Sequence, residues 1–207
     1  MKLRATLISA ALLATGLAGY ADAAAKPKPI CNNVSDPAGD VGLYGATGNT
    51  PDDALDIRSG DLGSNAKGVT AAIRLAKLAS PAPTSPGAAV YELRFEHRKS
   101  GEVYTLWASI TGGQATFGVG TVDTSASAEM AVSTGTATGV VDTAKNEIRI
   151  FAPYSALGGA KVGVKASIDG IVVKRGVPTN YYGRYADEGA ASKSFLLGAA
   201  TCVKLGG

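Results

Sequence analysis

"YELRFEHR" (residues 91–98) places Tyr91, Leu93, Phe95 and His97 on one side and Glu92, Arg94, Glu96 and Arg98 on the other. Side chains alternate across a β-strand with a period of two, so this run predicts one buried face and one wet face. The same period recurs outward in both directions. Upstream, "GVTAAIRLAKL" sets Val69, Ala71, Ile73 and Leu75 together. Downstream, "EVYTLWASI" sets Tyr104, Leu106, Ala108 and Ile110 against Val103, Thr105 and Trp107. "TATGVVDTAKNEIRIFAP" reads as two strands joined by a turn at Asp142 to Asn146, and "KVGVKASIDGIVV" aligns Val162, Val164, Ala166 and Ile168. "ATCVKL" is expected to close the chain as a last strand.

Helical periodicity is nearly absent. "ASPAPTSPG" and "STGTATG" read as breakers between strands, and "PYSALGG" as a single helical turn opened by Pro153 and closed by Gly158 and Gly159. Many short strands with turn signals at this spacing predict an all-β fold, an antiparallel β-sandwich with at most one short helical turn. No repeat or long linker suggests a second domain.

The N-terminus predicts export. Lys2 and Arg4 precede an apolar run from about Leu7 to Ala18, and "ADA" follows before Ala24. These are the three regions of a secretory signal peptide. The run is too short to span a bilayer, which takes roughly 20 apolar residues. The expected organisation is residues 1–23 signal peptide, 24–29 a short N-terminal segment and 30–207 one sandwich domain, secreted and extracellular. Loss of Lys2, Arg4 and Asp22 lowers the net charge from +3 to +2. No Lys/Arg cluster concentrates that charge, which argues against nucleic acid and against an anionic membrane surface. No membrane insertion is expected, and the chain is read as a monomer.

The two cysteines, Cys31 and Cys202, flank the domain. In an oxidising compartment such a pair reads as a disulfide joining the terminal segments. The chain-entropy estimate for so long a loop is roughly 5 kcal/mol.

Two clusters carry candidate chemistry. "SDPAGDVGLYGATGNTPDDALDIRSGDL" (residues 35–62) holds six aspartates and no lysine. Calcium takes six to eight oxygens from carboxylates, carbonyls and water. Asp36, Asp40, Asp52, Asp53 and Asp56 are the candidate metal ligands, and the competing reading is turn chemistry around Pro37, Gly39 and Pro51. The second cluster, "PTNYYGRYADEG", reads as one loop that gathers Tyr181, Tyr182, Arg184, Tyr185 and Asp187 as candidate ligand-binding residues. Tyrosine offers an apolar ring with a polar tip, which suits a wet sugar site. Trp107 could add a ring, but taken alone it reads as a core residue.

Familiar catalytic machinery is missing from the sequence. His97 is the only histidine, there is no Gly-x-Ser-x-Gly elbow, and no His/Cys spacing suits zinc. The chain is therefore read as non-enzymatic.

Taken together, "SDPAGD", "DDALDIRSGDL", "GVTAAIRLAKL", "YELRF" and "NEIRIFAPYSALG" resemble the DOMON-like β-sandwiches related to type 9 carbohydrate-binding modules, found in secreted bacterial proteins, often of actinobacteria. The resemblance implies a jelly-roll-like sandwich and non-catalytic binding of carbohydrate or cell-surface glycan, and it favours calcium at the acidic loop. Some DOMON domains carry haem between a Met and a His. Met130 follows His97 here, the reverse of the order in those domains, and no haem is expected. The competing class is a structural or protein-interaction domain with no small-molecule ligand.

Overall fold

The computed structural model describes residues 34–41, 53–78, 88–123, 130–158, 163, 165–176, 184–190 and 194–198. The signal peptide, the 24–29 segment, Cys31, Asp52, Val162, Val164, Tyr181, Tyr182 and Cys202 lie outside them, as does the "ATCVKL" segment. Among the described residues no helix is long and apolar enough to cross a membrane.

The protein is an all-β sandwich. Its strands are β1 (Val34–Ser35), β2 (Ile57–Ser64), β3 (Gly68–Leu75), β4 (Ala88–His97), β5 (Val103–Thr111), β6 (Gln114–Asp123), β7 (Met130–Thr136), β8 (Thr138–Asp142), β9 (Glu147–Pro153), β10 (Lys165–Gly176), β11 (Arg184–Ala190) and β12 (Ser194–Leu196). A five-stranded sheet has the order β1-β2-β3-β9-β8. A seven-stranded sheet has the order β11-β10-β4-β5-β6-β7, with β12 also paired to β10. Every ladder is antiparallel. The chain therefore crosses between sheets after β3, at Ala137 between β7 and β8, and after β9.

The alternating residues build the core. Val69, Ala71, Ile73, Ile148 and Ile150 of the smaller sheet are fully buried, as are Tyr91, Leu93, Phe95, Leu106, Val119 and Ile171 of the larger. Each of the Val, Leu, Ile and Phe side chains among these contributes about 1.5–3 kcal/mol on burial. Phe95 and Tyr104, register partners on β4 and β5, stack with ring centroids 5.3 Å apart. A side chain added at Gly60 would strike Ile171 and one at Gly139 would strike Phe117, so glycine is what lets the two sheets close at these points.

Among the described residues there is one helical turn, a 3-10 turn at Tyr154–Ala156 set up by extended Pro153. The turn at residues 142–146 closes on Asn146, which is left-handed at φ 53. Its backbone carbonyl accepts the Leu75 N–H at 3.0 Å and its side-chain oxygen accepts the Leu78 N–H at 2.9 Å. Asparagine is one of the few residues with a side chain that tolerates that conformation.

Three sequence expectations need correction. "STGTATG" is not a break but strand, the end of β7 and the start of β8. Backbone pairing outweighs its Gly and Thr content because both stretches lie at sheet edges, where one ladder suffices. "RSGDL", read as part of the acidic loop, belongs to β2, where Leu62 turns inward. In β10 the alternation through Ile168 does not continue evenly. A register shift between Ile168 and Gly170 restores the inward phase at Ile171 and Val173.

Candidate functional site: the outer face of the larger sheet

The outward residues of β4 were expected to be wet. Instead Glu92 is 0% exposed and Arg94 3%. Both the Nε and the Nη2 of Arg94 donate to the Glu92 Oε2, at 3.1 and 2.9 Å. Removing two charges from water costs several kcal/mol per ion, so a buried pair like this is poor evidence of a stabilising device.

Register supplies its neighbours. Glu92 pairs with Trp107 on β5, Arg94 with Thr105 and Val90 with Ser109. One strand further, Trp107 pairs with Gly118 and Thr105 with Gly120 on β6. Thr105 and Ser109 are buried, and the Thr105 hydroxyl has no hydrogen-bond partner. A Cβ at Gly118 would lie 2.0 Å from the six-membered ring of Trp107. The indole therefore lies down across β6 in space only glycine leaves open. Trp107 itself is partly buried on this outer face, not in the core as its sequence context suggested. The result is a floor of small residues bearing a flat aromatic ring, a hydroxyl and an ion pair of zero net charge. Such a surface can stack and hydrogen-bond a neutral, hydroxyl-rich ligand.

The acidic segment is drawn together only in part. Asp56, 4% exposed, accepts the Gly39 N–H on Oδ2 at 3.0 Å, which ties the 36–40 turn to the start of β2. The Arg58 guanidinium stands 3.9 Å from the same oxygen, while Oδ1 is buried without a hydrogen bond. Asp36 sits half-buried after β1, and Asp40 and Asp53 are exposed. Among the described residues no group of three His, Cys, Asp or Glu is arranged to hold a metal ion.

The tyrosine cluster also differs from its expected form. Arg184, Tyr185 and Asp187 are not in a loop but on β11, opposite Arg175, Lys174 and Val173 of β10. The Pro, Asn and Gly signals at residues 178–183 were extended too far by sequence reading. β11 lies two strands from β4 in the same sheet, roughly 10 Å away.

β11 and the end of β1 lie close together. A Cβ at Gly189 of β11 would meet Val34 at 2.9 Å and the Asp36 side chain at 3.5 Å. The Tyr91 hydroxyl donates to the Ala54 carbonyl at 2.9 Å, placing the turn before β2 beside Tyr91, whose strand partner Val173 also faces Asp187.

His97 closes a hairpin instead of facing this site. Its Nδ1 accepts the Ser100 N–H at 3.1 Å and lies 2.8 Å from the Ser100 hydroxyl, and Glu102 accepts the Tyr104 hydroxyl at 2.6 Å.

Compared with protein-family models, curated proteins and solved structures, the chain matches none.

Proposed function

We propose that the protein is an exported, non-catalytic binding module that takes carbohydrate or cell-surface glycan on the outer face of its larger sheet. The observation that carries this reading is Trp107, laid flat over Gly118 beside the buried Glu92–Arg94 pair and the unbonded Thr105 hydroxyl. Apolar sugar faces stack on such rings, and fixed polar groups select hydroxyls. The resemblance of "SDPAGD" and "YELRF" to type 9-like modules supports the same class. Tyr181, Tyr182, Arg184, Tyr185 and Asp187 are kept as further proposed ligand-binding residues, Tyr185 being in register with Lys174 and, through it, with Val90. Asp36 and Asp56 are the proposed nucleus of a structural calcium site, because the buried Asp56 Oδ1 has no other partner.

A disulfide between Cys31 and Cys202 belongs to the same reading. Val34 pairs with Gly60 of β2, four residues before Ser64. The Gly198 N–H donates to the Ser64 hydroxyl at 2.7 Å. The cysteines lie three and four residues from these anchors, within about 10 and 14 Å of chain.

The test uses the mature, oxidised protein. Trp107 is the only tryptophan, so its fluorescence reports the site directly. Titration with soluble polysaccharides is expected to shift that emission, and affinity electrophoresis to show retention that Trp107→Ala abolishes. A glycan array and titrations that are silent for the wild-type protein overturn the carbohydrate reading. The competing class, an interaction domain, is favoured by one observation, the open edge of β8.

A further inference from the structure

The sandwich has four sheet edges, and three carry a protective feature. β1 is two residues long. β11 contains Arg184, Asp187 and Glu188. β7 is interrupted by a register shift that leaves Thr134 unpaired in the ladder, and the Thr134 hydroxyl donates at 2.9 Å to the Ala156 carbonyl of the 3-10 turn. Short strands, charges and bulges are the means by which proteins stop edges from pairing with other chains.

β8 has no bulge, and its one charged residue, Asp142, stands at its end. It pairs with β9 in an unbroken register from Thr138 to Asp142, and among the described residues its other side meets no strand. Thr138 to Val141 carry no charge and no proline. Val140 is 62% exposed, the more exposed of the two large apolar residues found on the surface among the described residues, Val132 being the other.

We infer that β8 is a self-pairing edge, joining antiparallel to β8 of a second copy of this chain across a two-fold axis at Val140. The occupant follows from charge and register. An isologous contact must be self-complementary. Centred on Val140, it sets Val140 against Val140, Gly139 against Val141 and Thr138 against Asp142, so no like charges meet. Asp142 is already bonded to Lys145 of its own turn at 2.8 Å, and Arg149, the partner of Val140 on β9, to Glu147. An uncharged strand offers nothing to a charged peptide but matches itself. The two smaller sheets become one continuous sheet, and both Val140 side chains leave water. This assembly departs from the monomer expected from sequence, and it does not depend on the sugar reading.

Sedimentation of the mature, oxidised protein over a wide concentration range tests it. The wild type is expected to pass from monomer to dimer, and hydrogen exchange of residues 138–142 to slow as concentration rises. Val140→Lys sets two lysines face to face and is expected to stay monomeric with an unchanged unfolding midpoint, whereas Val132→Lys on β7 still dimerises. A wild-type protein that is monomeric throughout overturns the inference. So does a Val140→Lys protein that dimerises like the wild type, or an edge that slows in exchange only when an extended peptide is added.

Discussion

Two charge arrays occupy the two outer faces of the sandwich, one reaching across three strands and the other within β4, and they are built differently. On the smaller sheet Arg74 lies between Asp61, at 2.8 Å, and Glu147, at 2.9 Å, with the Ser59 hydroxyl at 3.4 Å and Arg149 also on Glu147. The Arg74 side chain keeps 31% of its surface in water, so its charge is paired without full desolvation. Burial opposes its charge, but the bonds and charges of Asp61 and Glu147 outweigh that and hold its pKa above the ordinary arginine value. On the larger sheet one arginine and one carboxylate are taken wholly out of water, beside a tryptophan and an unbonded hydroxyl. The first array staples β2, β3 and β9 together. The second is buried on its arginine as well as on its carboxylate, and it is the face proposed above to take a ligand.

The largest effect is expected where desolvation is complete. Glu92→Ala removes the carboxylate to which both Nε and Nη2 of the buried Arg94 donate and should cost about 3–5 kcal/mol in urea unfolding, whereas Glu92→Leu with Arg94→Met should recover most of that stability. If the single variant costs as little as a surface change, the contrast between the faces collapses. Arg74→Met comes next. It deprives Asp61 and Glu147 of a charged donor and should cost about 1–2 kcal/mol, while leaving ligand-dependent Trp107 emission unchanged. Loss of that emission response would show that the two faces are not separate in function.

The smallest effect is at the exposed 142–146 turn. The hydrogen bond from the Lys145 ammonium holds the Asp142 carboxyl below its ordinary pKa. A depressed folded value means that the contribution is present above the unfolded carboxylate pKa and disappears as pH falls through the folded one. Lys145→Ala should therefore slightly lower the neutral plateau of a Tm–pH curve and leave its acid end in place, which flattens the acid limb. A neutral-pH loss equal to that of Arg74→Met would mean that the turn, and not the array, staples β9.

Much of the fold was legible because alternation reports burial directly. Tyr91, Leu93 and Phe95, and Val69, Ala71, Ile73 and Leu75, are inward as read. Pro153 and Gly158 bracket the one helical turn, and Gly158 is left-handed at φ 64. The site was less legible. Glu92 and Arg94 have the spacing of a solvated face, and only their register opposite Trp107 and Thr105, with Gly118 and Gly120 beyond, shows the floor they belong to. Cross-strand register depends on pairing between distant segments, so no local window contains it. Asp56 illustrates the converse. Its acidic neighbourhood was visible, but its burial depends on the 36–40 turn folding back to bond it across 17 positions.

The ladders at the centre of each sheet join segments far apart in the chain, β3 to β9 and β4 to β10. Contacts of that kind slow folding, because a long loop must be ordered before either ladder gives anything back. A chain threaded outward from its N-terminus can form the β4-β5-β6 meander early, yet the β4 edge next to it stays open until β10 has emerged. During that interval the backbone beside Glu92 and Arg94 has no partner strand. The last fifth of the polypeptide, from β10 onward, thus acts as the clasp of the larger sheet, and truncation there is expected to act on yield and solubility before it acts on binding.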